Sequence, residues 1–276
     1  ARFAEVTISS IGAHLTIAVS NIFFLGIPVM YAMGAYAMVV PQKYGLSLPW
    51  SLVIALIVVL LTSLIFVLTY LKVSRDSFTV FTLTSILAFD ALLKSWDSVT
   101  GGVLGISGVV RPGFVSSLRE LAWFQFGIMI ILLLAEYIIL KTRFGRALLG
   151  MKENSYVIES FGLSTKLLGS LVIIISSVFA AIAGILTIWR IQFLDPSFGG
   201  ILLLIQIATV AIIAAKPKIR WLSGATLFVV LLPEVLRFFA LPSTMVGHLR
   251  NLIYSVLLII ILKTISKNLL PRKRFI

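Results

Sequence analysis

Few residues in this sequence could do chemistry, and none is arranged for catalysis. Its two histidines, His14 and His248, stand far apart, without the spaced Cys, His or carboxylate partners that a metal site needs. His14 lies in the first apolar stretch, where an ionisable group serves either a function or a hydrogen bond between helices. Thr79, Thr82, Ile86 and Asp90 are spaced so that they return to one face of a helix. That polar stripe could line a solute path, yet Asp90 also precedes Lys94 by four residues, a spacing that pairs charges on a helix surface. Glu136 and Glu234 fall near the ends of their apolar stretches and read as interfacial, since a proton relay favours deeper, clustered carboxylates. No GxxxxGK(S/T) loop is present, so any nucleotide that drives this chain is bound by another subunit. No metal and no cofactor is expected.

The elements that must position these groups are membrane helices. Hydrophobic residues make up 60% of the chain and charged residues 12%, whereas a soluble domain is roughly a quarter charged. Eight apolar stretches recur, at 8–40, 48–70, 77–93, 120–140, 167–189, 200–215, 221–240 and 250–265. The fold class is therefore an all-α integral membrane protein, a polytopic helical bundle of about eight spans forming a single domain. The first stretch would be about 50 Å long as one helix, against a hydrocarbon core of about 30 Å. It must tilt, break or double back, and Gly26 and Pro28 mark the expected break. The small residues Ser176, Ala180 and Gly184 repeat every four positions in the fifth stretch, which lets a neighbouring helix approach closely.

The net charge of +13 is distributed in clusters between apolar stretches, so it marks topology and not nucleic-acid binding. With the carboxyl terminus in the cytoplasm, Lys72, Arg75, the cations of 141–166, Lys216, Lys218, Arg220 and those of 263–274 fall inside. Lys43, Lys94, Arg111, Arg119, Arg190, Arg237 and Arg250 fall outside, a bias of roughly two to one. Cysteine is absent, which leaves the redox compartment unread. The chain opens with Ala1 and Arg2, and residues upstream of them are expected to be missing.

Two connections stand out. The inside segment 141–166 carries seven charges, among them Arg143, Arg146, Glu153 and Glu159, and its insertion would cost on the order of 20 kcal/mol. Phe144, Leu148, Met151, Tyr156, Val157 and Phe161 recur there at helical spacing, and Gly162 suits a helix end. This reads as a short amphipathic helix beneath the membrane, a docking surface. On the outside, 96–118 holds Gly101, Gly102, Gly105 and Gly108, an ordered, turn-rich loop at the outer mouth.

Several segments together resemble the LivM-type permease of branched-chain amino acid ABC importers. FLGIPVMYAMGAY at 24–36 is similar to the family's SLGHAAFFGIGAY through Gly26, Gly34, Ala35 and Tyr36. WDSVTGGVLGISGVVRP at 96–112 is similar to its TGG-x-x-GISGIPRP loop through Thr100, Gly101, Gly102, Gly105, Ile106, Ser107 and Gly108. RFGRALLGMKENSYVIESFGLS at 143–164 is similar to RFGRALRAIRENEIAAEALGI, the most specific match, through Arg143, Phe144, Gly145, Arg146, Ala147, Leu148, Glu153, Asn154, Glu159 and Gly162. The chain departs at Phe24, at Ile27 and at AAKPKIRW (214–221), where the family has a glycine-rich stretch.

The resemblance implies a permease in the cytoplasmic (inner) membrane, surrounded by lipid and paired with a second homologous permease. Two cytoplasmic ATPases and an extracytoplasmic solute-binding protein complete the complex, and the permease itself is not an enzyme. It also implies that 143–162 engages the ATPase and that a further span precedes the first one here. The expected mechanism is alternating access, with Phe144 and Leu148 filling a groove in the ATPase and Arg143 and Arg146 orienting it. Gly26, Pro28, Gly34, Tyr36, Thr79, Thr82 and Asp90 are the candidates for the translocation path. The rival substrates are urea, short amides, sugars and nucleosides. A rival of another class is a lipid-modifying membrane enzyme, suggested by Arg111 and Arg119 near the outer interface.

Overall fold

Helix ends in this chain are marked by hydroxyl side chains. In the computed structural model, Ser74, Thr142 and Ser164 each accept a hydrogen bond from a backbone N–H of the helix they precede, and Ser117 forms a reciprocal capping box with Glu120. The structure describes residues 1–214 and 216–237 and, beyond them, Leu249, Leu252, Ile253, Ser255, Val256 and Ile259; the side chains of 233–237, Glu234 among them, are outside it. His248 and most of the stretch 250–265 also lie outside the described residues.

The helices are α1 (Arg2–Ala13), α2 (Ile27–Lys43), α3 (Leu48–Lys72), α4 (Arg75–Ser95), the single turn α5 (Asp97–Thr100), α6 (Leu118–Lys141), α7 (Arg143–Glu153), α8 (Ser155–Ser160), α9 (Thr165–Ile191), α10 (Ile201–Ile213) and α11 (Ile219–Arg237). Two short strands, β1 (Ile106–Ser107) and β2 (Phe193–Leu194), pair antiparallel. Among the described residues, five segments are long and apolar enough to cross a bilayer: α3, α4, α6, α9 and Pro196–Ile213. The chain is an all-α polytopic membrane protein.

The first apolar stretch doubles back. Its helix α1 continues as a π-helical turn, His14–Val19, and the chain then runs without helix from Ser20 to Gly26 before α2 begins. The break therefore ends at the expected Gly26 but begins six residues before it, and Pro28 lies outside it. Pro28 sits in the first turn of α2, where its missing N–H costs nothing. What ends the helix is the polar pair ahead of it: the Ser20 hydroxyl donates to the carbonyls of Leu15 and Thr16, and Asn21 adopts a left-handed φ of 57°.

α9 is the centre of the bundle. Of its most apolar stretch 67% is buried, against 28%, 22% and 17% in α3, α4 and α6, which turn most of their surface outward. The small-residue repeat explains how α9 can be surrounded. Ser176 donates to the Gly12 carbonyl of α1 at 3.0 Å, and a Cβ added to Gly184 would lie 1.9 Å from the Tyr31 carbonyl of α2. Gly184→Val is accordingly expected to separate α2 from α9 and to cost about 1–3 kcal/mol, read as a lower unfolding midpoint in mixed micelles.

The two ends of the bundle follow from connectivity. α6 carries the chain from the glycine-rich loop to α7 and α8, and α9 returns it to β2, which pairs with β1 of that loop. Segment 143–162 and the glycine-rich loop are therefore at opposite ends of the 27-residue α9, about 40 Å apart at ~1.5 Å per residue.

Candidate functional site: the interrupted first segment and the helical pair beneath it

At the interruption the backbone loses helical partners and takes side-chain ones. Leu25 donates its N–H to the hydroxyl of Thr82, which is buried and itself donates to the Thr79 carbonyl. Phe24 is enclosed by Phe66 and Phe78, with ring centroids 5.1 and 6.1 Å away. Gly26 abuts the same Phe24 and Phe66 rings. From the other end, Gly199 in the turn Pro196–Gly199 presses on Pro28, and Phe198 stacks on Tyr31 at 4.9 Å. The starts of α2 and α10 are thus packed into one region.

The candidate path residues are divided by this geometry. Thr82, Gly26 and Pro28 meet at the interruption, and Gly34 is packed against Ala181 of α9. Thr79 is partly buried at most and is satisfied by the Arg75 carbonyl. Asp90 accepts from Lys94 at 2.6 Å with side-chain exposures of 28% and 41%, the local pair its spacing suggests, worth under about 1 kcal/mol. Tyr36 is the informative member. It is buried, and its hydroxyl has no hydrogen-bond partner among the described residues. A buried orphan hydroxyl is costly unless something else satisfies it.

The 143–162 segment is a helix pair, not the single helix its periodicity suggests. Asn154 leaves α7 with extended backbone, and its side chain then caps α8 by accepting from Tyr156 N–H. α8 ends as expected at Gly162, φ 79°, with the Gly162 N–H on Glu159 and the Leu163 N–H on Ile158. Gly145 lies directly against the carbonyl of Ile139, which brings α7 tight under α6. Arg143 and Arg146 are exposed, Arg146 donating to the Lys141 carbonyl. Glu153 and Glu159 are exposed as well, and Glu159 accepts from Thr165 at 2.5 Å.

Leu148 corrects the expectation that it fills a partner's groove. It is fully buried in the chain's own core, and Phe144 is half-buried against the same core. The most exposed apolar groups of the segment are Tyr156, 81%, and Phe161, 76%, on and just after α8. An amphipathic repeat identifies an apolar face but not whether its own bundle or a partner takes it.

α7 also grips the interruption. Lys152 donates from Nζ to the Ala18 carbonyl in the π-helical turn at 2.6 Å. Burial holds its ammonium below the usual lysine range, with Glu153 opposing that effect. In the sequence this lysine is just one of the cations of 141–166, because the carbonyl it reaches is 134 positions away.

Two buried polar clusters hold α1 in place. Near one end, Glu5 takes both Nε and Nη2 of Arg190, with the shortest contact at 2.7 Å, and also accepts from Gln125. Near the other, His14 Nδ1 meets Glu136 at 2.5 Å and its Nε2 donates to the Lys216 carbonyl. Glu136 lies near the end of α6, as its position in the sequence implies, but it faces the core: both side chains are 0% exposed. That burial comes from where α1 packs on α6, which position within a span does not reveal.

In the glycine-rich loop, Thr100 is buried and its hydroxyl donates to the carbonyls of Leu93 and Trp96. Gly101, Gly102, Gly105 and Gly108 all have positive φ. A side chain at Gly105 would in addition strike the Leu194 carbonyl of β2, so glycine is required for the β1–β2 pairing. Arg111 is held at the end of α9, donating to the carbonyls of Trp189 and Arg190. The described residues contain no group of His and acidic side chains able to hold a metal ion.

Comparison with known proteins agrees with this architecture. One relative, the high-affinity branched-chain amino acid transport system permease protein LivM of Escherichia coli (strain K12), is 25% identical over 217 residues. The match covers 68% of this chain and 51% of LivM, so the chain spans about half the length of that relative. No solved structure matches. The family model described as the permease component of the branched-chain amino acid transport system matches residues 1–262, and the chain belongs to that family.

Proposed function

We propose that this chain is a permease subunit of an ATP-driven importer in the cytoplasmic (inner) membrane, moving branched-chain or related small amino acids. A second permease, two cytoplasmic ATPases and an extracytoplasmic solute-binding protein act with it. The observation that carries the reading is the bond from Lys152 to Ala18, because it joins the helix pair at the foot of the bundle to the broken segment inside it. Movement of α7 and α8 by the ATPases, engaged through Tyr156 and Phe161 and oriented by Arg143 and Arg146, then reaches the interruption directly. The unpartnered Tyr36 hydroxyl is the group offered to the polar end of the solute as it passes. The match to LivM by name supports the choice of amino acids over urea or sugars.

The chain has no cysteine, so single-cysteine probes test the arrangement without background. Phe161→Cys in the assembled complex is expected to crosslink to the ATPase and to resist an impermeant thiol reagent added outside. Leu104→Cys, 86% exposed in the wild-type loop, is expected to label from outside and to crosslink to the binding protein. Labelling of both from the same side would reject the reading, and ATP-dependent uptake of urea but not leucine would reject the substrate class.

A further inference from the structure

We infer that the chain carries a binding site for an anionic phospholipid headgroup at the end of the bundle where α6 meets the start of α11. A cavity of 530 Å³ opens there, lined by Tyr137, Leu140, Lys141, Lys218, Ile219 and Arg220 among others. Its chemistry is one-sided. Three cations line it and no carboxylate does. Among the described residues none of the three is in an ion pair, and Lys141 rests over the ring of Tyr137, 5.6 Å from its centroid. The nearest acid along α6, Glu136, is turned into the core against His14 and leaves the local charge uncompensated.

An uncompensated group of cations beside a cavity recruits an anion, and the surroundings select which one. The walls contributed by Leu140, Pro217 and Ile219 are apolar, and Leu134 and Ile138 continue an exposed apolar strip up α6. Tyr137 and Trp221 are half-exposed beside it, with Lys216 over the Trp221 ring at 4.8 Å. A ring of cations with aromatic groups at the foot of an apolar strip fits a molecule that is phosphate at one end and hydrocarbon at the other. Free phosphate would use only the cations. The run Lys216-Pro217-Lys218-Ile219-Arg220 stands where the LivM-type pattern has glycines, so the site belongs to this chain and not to the pattern. A lipid held there bridges α6, which carries α7, to α11.

The test titrates the purified, lipid-stripped full chain with phosphatidylglycerol or phosphatidylcholine and counts retained lipids by native mass spectrometry. At least about fivefold stronger retention of phosphatidylglycerol is expected. The variant Lys141→Ala/Lys218→Ala/Arg220→Ala should lose that preference, while Lys72→Ala/Arg75→Ala, which removes two charges elsewhere, should keep it. Should the triple variant not purify as a monodisperse species, Lys218→Glu at its exposed position is read in the same way. Equal retention by the variants and the wild type overturns the site. Displacement of the lipid by excess inorganic phosphate identifies a free-anion site and overturns the assignment to lipid.

Discussion

Glu136→Ala is expected to lower the stability of the bundle by about 3–5 kcal/mol, measured by reversible unfolding in mixed micelles. The carboxylate and its partner His14 are both 0% exposed, and the histidine's other nitrogen is committed to the Lys216 carbonyl, so the ring cannot swing away to find another partner. Removing the acid strands a polar ring in a site closed to solvent, and the penalty is that of an unpaired buried group, larger than the net worth of the bond itself. Two further variants separate this from a simple cavity. Glu136→Gln keeps a group that can accept from or donate to Nδ1 and should lose much less. His14→Phe combined with Glu136→Leu removes both polar groups and should recover most of the loss. If Glu136→Ala unfolds with the wild-type protein, the pair does not hold α1 against α6.

How much of this was legible in the sequence depended on whether a feature is local. Five of the eight stretches were, because at 48–70, 77–93, 120–140, 167–189 and 200–215 a continuous apolar run ends within a few residues of a helix, as at 48–70 against Leu48–Lys72. The close packing at Gly184 was legible because spacing by four residues places small side chains on one face. Gly162 as a helix terminator was legible too, since only backbone conformation is involved. The buried polar pairs were not. His14 and Glu136 are 122 positions apart and Glu5 and Arg190 are 185 apart, and neither separation carries any period.

The interruption of the first segment was half legible for the same reason. Length alone demanded a break, and Pro28 offered a local cause, but proline is equally at home in the first turn of the next helix. The Ser20 hydroxyl, taking the carbonyls of Leu15 and Thr16, and the left-handed Asn21 decided the matter. The roles within 143–162 were exchanged on similar grounds. Leu148 and Phe161 share one amphipathic pattern, and only the approach of α7 to the bundle assigns the first to the core and leaves the second outside.

Lys152→Met follows from that exchange and is expected to cut transport-coupled ATP hydrolysis roughly tenfold in reconstituted vesicles while assembly of the complex is unaffected. The methionine keeps the length and apolar stem of the side chain but removes the charged donor to Ala18. A hydrogen bond from a charged group contributes about 1.5–3 kcal/mol, and the lower end applies to a half-buried lysine, which corresponds to about a factor of ten. The bond also fastens α7 to the continuation of α1, so the unfolding midpoint is measured beside coupling, and the loss of coupling is expected to exceed what any fall in that midpoint explains. Lys152→Arg, which preserves a donor of similar reach, should retain most of the coupling. A Lys152→Met protein that transports and hydrolyses like the wild type would mean that the motion of α7 reaches the broken segment by another route, such as the core contact of Leu148, and that the bond to Ala18 is incidental.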